Sequence, residues 1–454
     1  MRAGPGVTPL ATRWTIYACV AAAAAAGSPA CGDNRLPAPD RVEILDVPAA
    51  PPRQLDLLLQ IDDSNSSPES EVAIGDEIAG LFAVLATTDG GLPDLHVGVI
   101  SSDLGASSTE HPELPPTLAN NCRDVGRDGL LQTGQAGTAL RDTAYVVDEA
   151  VSTGGRSTNY DGALTQVVTK MVKLGHQGCG FEQPLGAIRR GVAPGHNPGF
   201  RRDGANLAVI ILADEDDCSI LDPALLDPAV ANLGPLASFR CTREGVACDQ
   251  PITDVGIKTG CHSNEESSYV EPIALTRAAL EEAAPSTAQV VLGAIIGDAT
   301  PVAVQLRRPP GDGAPIPALS HSCMYETPYG NNVADPAVRI AELVDAFASR
   351  GVRRSVCTPP SSNQVRAIAT AIKSSLGTVC LPQSLPTLDC EAHDTYADGS
   401  RSPIPACDAS RTTDCFALVD DPVACAETPL HLRFVVHRSM PPPALTRTTL
   451  TCAK

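Results

Sequence analysis

The sequence predicts an α/β fold: a doubly wound, mostly parallel sheet with helices on both faces, followed by a small Cys-rich C-terminal appendage. Three observations carry this expectation. Four apolar runs, "LDLLLQI", "DLHVGVISSD", "NLAVIILADEDDCS" and "AQVVLGAIIGD", read as strands covered on both faces. Stretches with apolar residues at three- and four-residue steps stand between and after them, as crossover helices require. From Cys380 onward the chain turns Cys- and Pro-rich, with one late strand, "LRFVVH".

Residues 1–31 read as an export signal. Arg2 and Arg13 precede the short apolar segment "TIYACVAAAAAAGSPAC", too short and alanine-rich for a membrane span. Its end, small residues before Cys31, resembles a bacterial lipoprotein signal. That resemblance implies lipidation of Cys31, and Gly32 after it points to the outer membrane or cell surface. Ser28 departs from the pattern, and plain cleavage with a periplasmic or secreted product is the alternative. Residues 32–53 are polar and Pro-rich and are expected to be a linker.

The large domain is expected over residues 54–378. Its first strand, Leu55–Ile61, leads into "SPESEVAIGDEIAGLFAVLATT", where Ser67 suits a cap and Pro68 the first helical turn. "DLHVGVISSD" completes a β-α-β start. The stretch from Leu104 to Gly155 is loop-rich. "TNYDGALTQVVTKMVKLG" and "FEQPLGAIRRGV" read as helices before the acid-ended strand "NLAVIILADEDDCS". A disulfide-rich insertion is expected at about 218–275, then "AQVVLGAIIGD". Two helices, "DPAVRIAELVDAFASRG" and "NQVRAIATAIKSSLG", flank the short strand "RRSVC". Residues 379–454 form the appendage.

Composition narrows the function. The chain has 454 residues, 33 Lys plus Arg against 53 Asp plus Glu, and a formal net charge of −20. That charge repels nucleic acid and anionic headgroups, so contact with a membrane is expected only through the lipid anchor. One tryptophan and few other aromatics argue against a stacking groove. Sixteen cysteines, less Cys19 in the signal and Cys31, leave fourteen, an even number that suits disulfides in an exported chain. Cys241 and Cys248 are close enough to bridge a small loop, and Cys179 and Cys218 are candidates to meet beside the site below.

The chemistry sits where two strands end in oxygen ligands. "IDDSNSS" places Asp62, Ser64 and Ser66 after the first strand, and "LADEDDCS" places Asp214 after a later one. Ligands of doubly wound sheets bind at the carboxyl ends of strands, and hard divalent cations take oxygen donors. Blander roles compete. Ser66 or Ser67 suits a helix cap, and Glu215, Asp216 and Asp217 suit a solvated loop. Asp56 suits a bond to a neighbouring loop. His96 suits a surface position, and alternation turns Asp63 away from Asp62.

D-x-S-x-S at Asp62, Ser64 and Ser66, after a strand and before a helix, resembles the metal-ion-dependent adhesion site of von Willebrand factor type A (VWFA) domains, a Rossmann-like family. "GCGFEQPL" and "DEDDCS" are similar to segments of exported bacterial lipoproteins of that kind. The resemblance implies a cation, Mg²⁺ or Mn²⁺ with Ca²⁺ as the further candidate, completed by a second-loop residue and by Asp214. The family has threonine in that second loop. Here Thr158 in "STNYDGAL" and Glu182 in "GFEQPL" compete, and chain order favours Glu182. Asn65 replaces the usual glycine.

Three functions follow. The first is adhesion or other protein–protein binding, in which a partner's carboxylate becomes the last metal ligand and no reaction is performed. The second is a metal-dependent hydrolase using Asp62, Asp214 and Asp216. No histidine lies near either motif in sequence, no G-x-S-x-G elbow occurs, and no phosphate loop occurs. The third is a structural envelope protein with a closed metal site.

Overall fold

The computed structural model describes residues 41–454 apart from 51, 65–67, 106–121, 123–125, 152–153, 309–312, 328–329, 359–363, 386, 423, 427, 441, 444 and 454. The expected signal and Cys31 lie outside the described residues, as do Asn65 and Ser66.

Residues 41–454 form one compact unit of mixed α/β structure. Its strands include β1 (Arg41–Pro48), β2 (Gln54–Ile61), β3 (Asp94–Ser101), β4 (Val146–Ala150), β5 (Arg156–Thr158), β6 (Asn206–Leu212), β7 (Val290–Ile296) and β8 (Gly351–Ser355). A seven-stranded mixed sheet runs β8-β7-β6-β2-β3-β4-β5. The five strands from β8 to β3 are mutually parallel, β4 runs antiparallel to β3, and β5 runs antiparallel to β4. Four of the parallel strands, β2, β3, β6 and β7, are those that read as continuous apolar runs, because each is buried on both faces, whereas the edge strand β8 is partly exposed.

Among the described residues, seven α-helices accompany the sheet: α1 (Pro68–Leu85), α2 (Leu164–Met171), α3 (Pro184–Gly191), α4 (Phe239–Gly245), α5 (Ile273–Glu282), α6 (Val338–Asp345) and α7 (Gln364–Ser375). Alternation sorts the strand side chains into two cores. Leu57, Leu59 and Ile61 of β2 and Ala208, Ile210 and Leu212 of β6 pack with α1, α2 and α7. Leu58 of β2 and Leu207, Val209 and Ile211 of β6 pack with α3, α5 and α6. Fully burying a leucine or isoleucine is worth roughly 1.5–3 kcal/mol, so these two layers hold the strand ends in fixed register.

Of the linker expected over 32–53, residues 32–40 lie outside the described residues, and Arg41–Pro48 forms a strand rather than linker. β1 pairs antiparallel with Arg447–Ala453, from Arg41 opposite Ala453 to Pro48 opposite Arg447. It thereby joins the C-terminal region, where Ile44, Leu45 and Val47 share a core with Leu381, Phe416, Phe434 and Leu450.

The fourteen cysteines expected to pair do so in seven bridges: Cys122–Cys179, Cys218–Cys241, Cys248–Cys261, Cys323–Cys357, Cys380–Cys425, Cys390–Cys452 and Cys407–Cys415. The expected pairings Cys241–Cys248 and Cys179–Cys218 are therefore wrong. Cys241 turns back to Cys218 because α4 packs against the loop after β6, and Cys179 reaches the loop after β3. Among the described residues, no helix is long and apolar enough to cross a membrane.

Candidate functional site

The carboxyl ends of β2, β3 and β6 meet at one edge of the sheet. Asp62 continues β2, and its N–H donates to Leu212 O at 3.0 Å. Its carboxylate accepts from the Ser64 N–H at 2.8 Å, a local turn that fixes both residues. Both are buried, at 0% and 2% exposure.

Asp63 turns away from Asp62, as alternation predicts, and has partners of its own. It is fully buried, accepts from the Ser101 hydroxyl at 2.6 Å, and pairs with Arg127 at 2.9 Å. Burial pushes its carboxyl up to about 6, against the pull of Arg127 and Ser101. Gly178 of "GCGF" donates its N–H to Asp63 O at 2.9 Å. A Cβ there would stand 2.4 Å from Asp63 Oδ1, so only glycine permits this approach.

Gly178 thus anchors the segment that delivers Glu182. The Gln183 N–H donates to Ser102 O, and Glu182 O accepts from the Cys218 N–H at 2.7 Å. Thr158, the other second-loop candidate, stands exposed on β5, with β3 and β4 between it and β2.

The loop after β6 is not the solvated acidic loop that its composition suggests. Asp217 accepts from the Leu185 N–H at 3.0 Å, and Ser219 accepts from the Gly186 N–H at 2.6 Å. Asp216 accepts from the N–H groups of Arg339 and Ile340. One loop thereby satisfies the free amides at the starts of α3 and α6, where negative charge is favoured. Asp217 also pairs with the Arg339 side chain at 3.1 Å, both nearly inaccessible to solvent.

Within this frame Asp62, Glu182, Asp214 and Glu215 converge. Burial raises the Glu182 carboxyl well above its usual range, and the charges of Glu215, Asp62 and Asp214 raise it further. Asp214 is raised by burial, by the charges of Asp62 and Glu215, and by a hydrogen bond with Asp62. Glu215 is pushed up to about 8, by burial first and then by Asp335 and Asp62, while a hydrogen bond from Glu182 and the charge of Arg307 oppose this. Like carboxylates this close cannot all ionise without a compensating positive charge.

Carboxyl oxygens are the kind of donor that a hard divalent cation takes. Among the described residues, no group of three or more His, Cys, Asp or Glu side chains is arranged to hold a metal ion.

A cleft of about 330 Å³ opens beside the cluster, with Glu182, Glu215, Phe239, Arg307, Pro317 and Asp335 in its lining. Sequence reasoning missed Glu215, Asp335 and His321 as neighbours of the site. His321 Nδ1 lies 2.7 Å from Asp335 Oδ1, and the Asp335 N–H donates to Asp214 O at 2.8 Å. Nothing in the local sequence around His321 signals this. His96, expected at the surface, is buried at the other end of the strands, its Nδ1 2.7 Å from Phe200 O. Nearby, Asp56 meets the loop after α3 as expected, through Arg202 at 2.8 Å.

No family model matches this chain, and no curated protein does. Among solved structures it is similar to the conserved hypothetical protein BatB from Bacteroides thetaiotaomicron, at 11% identity over 71% of this chain and 98% of that one, with a TM-score of 0.26. The pilus adhesin SpaC from Lactobacillus rhamnosus GG, in its open conformation, matches at 10% identity over 90% of this chain and 40% of its own, with a TM-score of 0.31. The pilus adhesin RrgA from Streptococcus pneumoniae matches at 10% identity over 91% and 58%, with a TM-score of 0.26. The chain thus spans less than two thirds of either adhesin, and TM-scores this low mark a distant likeness only.

Proposed function

We propose that this chain is an exported binding protein of the VWFA type, lipid-anchored at Cys31 on the outer membrane or cell surface. A divalent cation, Mg²⁺ or Mn²⁺, is held by Asp62, Ser64, Ser66, Glu182 and Asp214. It takes a carboxylate from a protein partner as its last ligand, and no reaction is performed. One observation supports this above all: Glu182, Asp214 and Glu215 gather with Asp62 at the strand ends, where burial first, and neighbouring carboxylate charges next, raise the pKa values of those three. A cation relieves that repulsion. Arg307 and Arg308 in the cleft wall suit an acidic partner segment. Seven disulfides support an oxidising compartment.

Calorimetric titration of Mg²⁺ and Mn²⁺ into wild type, Asp62→Ala and Asp214→Ala tests the site. Binding by wild type and its loss in both variants is expected. Equal binding by all three removes the site. Mass spectrometry of the mature amino terminus tests the anchor, which an unmodified start at any residue other than Cys31 would exclude.

A hydrolase is the second reading, favoured by the His321–Asp335 pair beside the cluster. Against it, the Arg307 guanidinium lies 3.3 Å from His321 Nε2, which leaves that nitrogen engaged rather than available as a base. Turnover of simple carboxylate or phosphate esters with Mn²⁺ present, lost in His321→Ala, would establish the hydrolase instead.

A further inference from the structure

Ser102 is the residue beside the site whose side chain the fold leaves unexplained. It is fully buried. Its backbone is satisfied on both sides: the N–H donates to Ile61 O at 3.1 Å, and the carbonyl accepts from the Gln183 N–H at 3.0 Å. Among the described residues its Oγ has no hydrogen-bond partner. A hydroxyl buried this way costs about 1–3 kcal/mol relative to one that is bonded. Serine is therefore a poor choice for a purely structural position here.

The register says where this hydroxyl points. Ser101 of β3 is the partner of Ile61 on β2, so Ser102 falls beside Asp62. Successive side chains face opposite sides of a sheet. Ser101 turns to Asp63, as its 2.6 Å hydrogen bond shows. Ser102 turns the other way, toward the face on which Asp62 stands and against which the Glu182–Gln183 segment packs. Alternation thus puts the hydroxyl on the side of the sheet where Asp62 stands and the Glu182–Gln183 segment packs.

We propose that Ser102 Oγ is a further ligand of the divalent cation, a neutral oxygen donated from the end of β3. The inference rests on the cation reading above. It gives Mg²⁺ or Mn²⁺ a hydroxyl on the side where Glu182 supplies a carboxylate. It also explains a buried polar atom that the metal-free fold does not use.

The test is Mn²⁺ and Mg²⁺ titration of the full chain, wild type against Ser102→Ala, with thermal melts taken in chelator and in excess Mn²⁺. The expected result is a loss of at least tenfold in Mn²⁺ affinity, with a melting temperature in chelator equal to or above that of wild type. A structural role gives the opposite pattern: a lower melting temperature in chelator and unchanged affinity. Ser102→Cys carries the test should Ser102→Ala fail to fold. A ligand position is expected to lose Mg²⁺ and gain thiophilic Cd²⁺, with thiolate-to-metal absorbance in the ultraviolet. Absence of that absorbance overturns the proposal. Wild type that binds no cation ends the cation reading itself. Wild type and Ser102→Ala binding alike ends only the role of Ser102.

Discussion

Asp63 and Arg127 form an ion pair at 2.9 Å in which the carboxylate is wholly buried and the guanidinium is partly exposed. The pair ties the loop after β2 to the loop after β3, directly behind Asp62. Asp63→Ala removes the pair and leaves the Ser101 hydroxyl without its acceptor. A loss of about 1–3 kcal/mol is expected in denaturant unfolding, with Mn²⁺ affinity kept within a few-fold. An unchanged unfolding midpoint would show that the pair does not hold the loops.

Asp217 and Arg339 are coupled more tightly, because neither has access to water. Asp217→Ala strands a buried guanidinium and uncaps α3, and a loss of about 3–5 kcal/mol is expected. Removing both charges together, in Asp217→Ala with Arg339→Met, is expected to recover part of that loss. A double variant as unstable as the sum of the singles would place the whole effect in the cap rather than the pair.

The contrast between these two aspartates shows what the sequence could reveal. The parallel strands were legible because burial on both faces leaves an unbroken apolar run, as in Leu57–Leu58–Leu59. α3 was legible from Pro184 and its apolar spacing. The positions of Asp62, Ser64 and Asp214 followed from strand ends. The partners of Asp217 were not legible, because Arg339 lies 122 residues further along the chain. β1 was read as linker for the same reason. Its partner strand is the last in the chain, and prolines on either side mask its apolar core. Disulfide pairing likewise depends on which loops the fold brings together, and spacing alone misled for Cys241.

The Cys122–Cys179 bridge closes a separation of 57 residues and ends three positions before Glu182. Replacing both cysteines with serine is expected to cost about 2–4 kcal/mol, and Mn²⁺ affinity should fall as well, because the Glu182 segment loses its tether. Removing Cys407–Cys415, which lies in the C-terminal region, is the control. Equal effects of the two on affinity would sever the bridge from the site. Thiol titration of unfolded, unreduced protein should find these fourteen cysteines oxidised.

Cation binding and pH are linked through the same carboxyl groups. Glu182 and Asp214 hold protons above their usual range, and Glu215 does so up to about 8. In the metal-free protein these groups bind protons more tightly folded than unfolded. Their contribution to stability is therefore full below the ordinary carboxyl range and is lost as pH rises through the folded pKa values, up to about 8. A dication replaces those protons, so its own stabilising effect grows over the same window. The rise in melting temperature on adding Mn²⁺ should be larger at about pH 9 than at about pH 6. Calorimetry in buffers of different ionisation enthalpy should show protons released on binding near neutral pH. The variant Glu215→Gln removes one of these proton-holding groups, and its release should be smaller. A melting-temperature shift independent of pH, with no proton release, would mean that the cation does not sit among these carboxylates.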